Sequence, residues 1–186
     1  MKFSPLSPTT RRLTLGLGLA LGAACLLAGC AVSPLRGSLQ PVRGFDAKRY
    51  MGTWHEIARI DHRFQRGLVN ARADYSLNPD GSVKVLNRGF NPETQAWKSA
   101  EGVAKFLGDP QEAALKVSFF GPFYGGYNVV ALDPDYQTAL VVGESTDYFW
   151  LLARDANLAP EKVDQLLQQA QGLGVDLGKV IRTQRR

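Results

Sequence analysis

Cysteine is scarce in this chain: among 186 residues only Cys25 and Cys30 carry a thiol, and both fall within the first thirty. No disulfide can therefore staple the remainder, and no cysteine metal site or thiol nucleophile is available to it. Histidine is equally rare. His55 and His62 are the two, and "HE" at 55–56 lacks the second histidine of H-E-x-x-H, so neither a metal nor another cofactor is expected. There is no G-x-S-x-G, the strained turn that presents a nucleophilic serine. Strong charge is missing too. The formal +5 includes Lys2, Arg11 and Arg12; without them 19 basic residues face 17 acidic ones, a balance of +2. So small an excess gives no electrostatic footprint for a nucleic acid.

The one long apolar run, Leu13 to Leu27, follows those basic residues and ends in Ala28 and Gly29. A basic start, an apolar middle and small residues at the end make a secretory signal over 1–29, too short for a membrane span. "LAGC" at Leu27–Cys30 resembles the lipobox of bacterial lipoproteins, in which the cysteine is acylated and becomes the mature N-terminus. That resemblance makes Cys30 the lipidation site. "TTRRLTL" also resembles a twin-arginine export signal. Residues 30–44 contain Pro, Gly and Ser without periodicity, so they read as an acylated N-terminus and flexible tether, and 45–186 as a single domain.

Within that domain, Ala71, Ala73, Tyr75 and Leu77 alternate with polar residues, the period of a strand with one dry face. Turn chemistry ("NPDG", "NPETQ", "GDPQ", "DPDYQ") cuts the chain into eight such runs, at 53–60, 69–77, 82–90, 96–106, 113–119, 127–132, 138–145 and 148–154. Pro160, Val163, Leu166, Leu167 and Ala170, with Gly172 as a stop, predict one helix over about 160–171, followed by a short strand or tail. Short connections make sequential strands antiparallel neighbours. The fold class is therefore all-β: an eight-stranded antiparallel up-and-down barrel with one C-terminal helix outside. Small inner residues (Ala71, Ala73, Ala100, Gly102) favour a cavity over a filled core.

"YMGTWHEIAR" supplies Gly52 and Trp54 as a G-x-W; "DPDYQTALVV" supplies Asp135 and Tyr136; "YFWLLAR" ends in Arg154. These three segments, in this order, resemble the three motifs of the lipocalin family, and most of the chain after Cys30 resembles its bacterial outer-membrane lipoprotein members, akin to apolipoprotein D. Pro134 departs from the usual threonine of the second motif. A meander brings Trp54, Tyr136 and Arg154 to one end, where an arginine over an indole closes the base structurally. The resemblance implies a bound fatty acid or lysophospholipid, an outer-membrane anchor on the periplasmic face, and pairing into a homodimer. With no free thiol, no G-x-S-x-G, and Asn87 unable to serve as a base, no enzymatic activity is expected. A lipid-modifying enzyme on the same barrel and a structural envelope lipoprotein are the rival readings.

The other end is then the mouth, carrying loop 61–68 and the aromatic stretch "FFGPFYGGYN" at 119–128. Alternation places Tyr75, Val85, Asn87, Val117, Phe119, Val129, Val142, Tyr148 and Trp150 on the inner wall, with Phe123, Tyr124 and Tyr127 completing the ligand-binding set. Asn87, Arg63, Arg66 and Tyr124 are the candidate partners of a polar head. Glu56, on the Trp54 face of its strand, is read as a buried carboxylate in a structural hydrogen bond.

Overall fold

The computed structural model describes residues 39–183. The 1–29 signal and the Cys30 lipidation site lie outside the described residues. Eight strands follow in meander order: β1 (Gly52–Ile60), β2 (Val69–Leu77), β3 (Val83–Asn91), β4 (Ala96–Phe106), β5 (Ala114–Phe120), β6 (Phe123–Leu132), β7 (Thr138–Val142) and β8 (Phe149–Ala153). Each is antiparallel to the next. Closure falls to β1. Its first half pairs with β2, from Gly52↔Tyr75 to His55↔Arg72, and it pairs with β8 from His55↔Ala153 to Arg59↔Trp150. A bulge between Glu56 and Ala58 turns the strand between those duties. Beyond it β1 pairs with a ninth strand, β9 (Val180–Arg182).

Two apolar layers result. The inner one gathers Trp54, Tyr75, Val85, Leu115, Val129 and Val141. The outer one lies under α2 (Pro160–Gly172), whose Val163, Leu166, Leu167 and Ala170 cover Ile57, Leu140, Val142, Phe149 and Leu151. At about 1.5–3 kcal/mol per fully buried large side chain, the helix is held by that stripe and not by its propensity. Gly172, expected as the stop, is the last helical residue; the left-handed backbone that ends the helix is at Gly174, φ +91.

Two expectations are corrected by backbone pairing. The aromatic stretch is not an open loop over 120–126. It is a hairpin turning at Gly121–Pro122, in which Gly126 pairs with Lys116 and Gly125 with Val117. A Cβ on Gly126 would come within 3.1 Å of the Gly143 carbonyl carbon, so this glycine serves close strand approach, not turning. The second correction concerns the tether. Leu39 is buried, Val42 N donates to Val129 O at 2.9 Å and Val42 O accepts from Ala113 N, so residues 39–44 are docked against the barrel.

A short helix missed in the sequence, α1 (Ala47–Tyr50), precedes β1. Asp46 caps it, accepting from Lys48 N at 2.8 Å. Four residues carry too little periodicity to register, yet α1 delivers Tyr50 to the inner layer.

Candidate functional site

The base is built from the motif residues. Arg154 lies 4.0 Å over the Trp54 ring and donates to Met51 O (2.7 Å), Thr53 O (2.8 Å), Arg49 O (3.0 Å) and Tyr50 O (3.2 Å). Gly52, at φ +95, leaves room for the guanidinium, since a Cβ there would sit 3.3 Å from Arg154 Nη1. Tyr136 OH accepts from Asp46 N, and Asp135 lies in the exposed turn beside it. This end of the barrel is shut.

Above it, Tyr75, Val85 and Val129 are buried on the inner wall, and Val117, Phe119, Tyr127 and Trp150 pack against the same layer while keeping part of their surface accessible. These four inner-layer side chains are therefore less tightly covered than the residues at the base. Asn87 stands in the inward row Ala73–Asn87–Ala100, and its Oδ1 is buried without a hydrogen-bond partner.

Three residues of the expected ligand-binding set sit elsewhere. Val142 belongs to the outer layer under α2 because Ala139 and Val141 take the inward positions of β7. Tyr124 is on the outer face of β6, its ring 4.8 Å from Lys116 Nζ. Tyr148 precedes β8 and stacks on His62 at 4.3 Å, a rim position. Phe123, 70% exposed, and Phe120, 78% exposed, stand at the hairpin tip. Of the other head-group candidates, Arg63 leans over Phe64 at 5.1 Å and Arg66 approaches Asp61 at 3.6 Å.

The mouth is organised by a residue that alternation did not single out. Arg59, 1% exposed, donates to Glu56 Oε1 (2.5 Å), to Asp61 Oδ1 (3.0 Å) and to Gln65 O (3.0 Å). Gln65 Nε2 donates to Glu56 Oε2 at 2.8 Å, and Trp150 Nε1 donates to Gln65 Oε1 at 2.9 Å. Loop 61–68 is thereby clamped to the inner wall. Burial alone would push the Arg59 guanidinium down, but Glu56 and Asp61 more than offset it and hold it above its ordinary value. Glu56 is a buried, hydrogen-bonded carboxylate, with Thr183 Oγ1 as a further donor at 2.8 Å. The bulge at 56–58 shifts the parity of β1, which is why strict alternation hid Arg59.

Near the base, three phenols meet. Tyr127 OH lies 2.8 Å from Tyr50 OH and 3.1 Å from Tyr75 OH. Burial pushes Tyr75 up to about 12, and raises Tyr50 and Tyr127 well above the ordinary phenol value. All three are neutral donors at physiological pH.

A family model described as a lipocalin-like domain matches residues 45–185. The chain is a lipocalin. It is 52% identical over 163 residues to Outer membrane lipoprotein Blc of Escherichia coli (strain K12), covering 87% of this chain and 92% of that one. The protein of the same name from Citrobacter freundii is 51% identical over 162 residues, again 87% and 92%. Among solved structures, insecticyanin from the tobacco hornworm Manduca sexta superposes with a TM-score of 0.63 at 19% identity, covering 83% of this chain and 88% of that one. That likeness bears on the fold alone. In this lipocalin the arrangement suits the family's role, binding a hydrophobic molecule: apolar walls, a shut base and a clamped mouth. Among the described residues no helix is long and apolar enough to cross a membrane.

Proposed function

We propose that this lipocalin is a lipid-anchored protein of the outer membrane, facing the periplasm, that holds a fatty acid or lysophospholipid inside its barrel for storage or transport. The apolar inner wall carries the reading: Val117, Phe119, Tyr127 and Trp150 pack on the inner layer yet remain partly accessible. Tyr75, Val85, Asn87 and Val129 complete the wall, and Phe123 stands at the entrance. Each buried methylene contributes about 0.8 kcal/mol, so a long acyl chain gains on the order of 10 kcal/mol gross, enough for micromolar binding after association costs. The anchor rests on the lipobox-like "LAGC" ending in Cys30, and on relatives whose name is outer membrane lipoprotein. No catalysis is assigned, because the one buried pair of ionisable groups among the described residues, Glu56 and Arg59, is consumed by structural hydrogen bonds. Exposed Phe120 and Phe123 are candidates for contact between two copies.

Native mass spectrometry of the delipidated protein with added lysophospholipid or fatty acid tests the cargo, and sedimentation tests the pairing. A one-to-one adduct supports the reading. Loss of every lipid adduct at concentrations well below aggregation refutes it.

A further inference from the structure

The barrel is not sewn evenly. β3 and β4 stay in register along their length, from Val83↔Ala104 to Asn91↔Ala96. β4 and β5 share only the stretch from Val103↔Ser118 to Phe106↔Leu115. Among the described residues, 96–102 of β4 therefore have a strand on one side only. Across the gap β5 is loosely held as well, because its register with β6 breaks between Val117 and Phe120. A backbone ladder closes the lower half of this seam, and only side chains close the upper half.

A cavity of about 660 Å³ opens on the outer surface at that place. Val103, Ser118 and Tyr124 line it from the outer face, but so do Gly102, the cross-strand partner of inward Val85, and Phe119. Phe119 thus borders the outside cavity and packs against the inner layer at once. Its ring lies against Gly102, where a Cβ would meet Phe119 Cδ1 at 2.8 Å, so it fills the space that a side chain at 102 would take. No hydrogen bond fixes a phenyl ring. The mouth, by contrast, is tied by Arg59, Glu56, Gln65 and Trp150, and the base by Arg154. Turning one apolar ring breaks none of those bonds, whereas parting the clamp would strand the buried charge of Arg59.

We infer that a lipid chain enters and leaves this barrel sideways, through the seam between β4 and the β5–β6 hairpin, with the Phe119 ring as the gate. This rests on the lipid-binding reading above and adds the route to it. The cavity outside the ring is the waiting position, where Val103 and Tyr124 offer apolar surface to the leading end of the chain.

The test follows cis-parinaric acid, a fatty acid that fluoresces in an apolar site, by stopped flow with the delipidated protein. A group that lies on the route but outside the final site changes the barrier and not the end states. Association and dissociation then shift by the same factor. Val103→Trp fills the cavity from the outer face and should slow both rates roughly fivefold at unchanged Kd. Phe119→Leu shortens the gate and should raise both rates. Gln168→Trp, on the exposed side of α2, should leave both as they are. Melting curves confirm that each variant is folded. Wild-type rates in Val103→Trp overturn the gate and send the lipid through the mouth; a change confined to dissociation overturns it too, because Val103 would then touch the bound ligand. If the wild type itself gives no fluorescence rise and retains no lipid in native mass spectrometry, the lipid-binding reading has failed, and the gate with it.

Discussion

Replacing Arg154 with alanine removes a side chain that ties the start of β1, the end of α1 and the end of β8 into one floor. Its guanidinium serves four consecutive-region carbonyls, those of Arg49, Tyr50, Met51 and Thr53, and covers the Trp54 ring at 4.0 Å. Hydrogen bonds to a charged donor contribute roughly 1.5–3 kcal/mol each when buried, but this site is partly wet and water replaces some of them. The stacking over Trp54 adds about 1–2 kcal/mol. A net loss of roughly 3 kcal/mol follows, which for a domain of this size lowers the melting temperature by about 10 °C. Arg154→Lys keeps the charge but not the planar fork, and should recover less than half of that. Thermal melts followed by circular dichroism read both variants, with dye displacement run well below the lower midpoint. Ligand affinity should be retained, since the floor lies behind the tyrosine cluster. An alanine variant melting within a degree or two of the wild type refutes the reasoning, as does full rescue by lysine.

Glu56→Ala strips buried Arg59 of its closest carboxylate and should destabilise the domain by about 3 kcal/mol in urea titrations, whereas Glu56→Gln keeps one accepting oxygen for Arg59 and Thr183 but turns an NH2 toward the Gln65 donor, and should cost somewhat less. Equal costs would mean that the retained oxygen contributes nothing and refute the expected partial rescue. Tyr75 is raised from 10 to about 12, so its contribution is fully present below pH 10 and is lost as pH rises from 10 to 12, at about 1.4 kcal/mol per unit, because the unfolded phenol ionises first. Flat stability across that interval would contradict the burial of the cluster. Phe123→Ser should weaken long-chain lipid binding or subunit pairing while shifting stability by less than ~1 kcal/mol, whereas Phe119→Ser, packed over Gly102, should lose both binding and stability. Unfolding by Phe123→Ser would make the hairpin part of the core. Cys30→Ala should abolish acyl labelling and release the protein from outer-membrane fractions; retained label would remove the anchor.

The strands were legible because each β run carries turn chemistry at both ends, and the motif residues because a meander has only two ends. What alternation could not give was the face of a strand dry on both sides. In β7, Leu140 and Val142 are as apolar as Ala139 and Val141, since α2 makes the outside of the barrel a second core. Alternation therefore points Val142 inward, whereas it packs under α2. The stretch 119–128 has the composition of a loop because glycine and proline usually punctuate; here Gly126 marks a tight approach between strands. Arg59 is hidden by a bulge that no residue type announces, while Asp46 before "AKRY" is a capping signal for α1. Tyr50, and with it the tyrosine cluster, depended on that helix.

The bulge in β1 has one more effect. Beyond residue 56 the strand leaves β2 behind, so one row of its amides and carbonyls faces outward along the seam. Residues 180–182 cover it, with Ala58↔Arg182 and Ile60↔Val180 in register and Thr183 N bonded to Ile57 O at 2.9 Å. An uncovered row of this kind is a template for another strand, from a neighbouring copy or any extended peptide. Chains cut after Lys179 should therefore keep their barrel but stick to one another edge to edge, which makes residues 180–183 a guard against polymerisation.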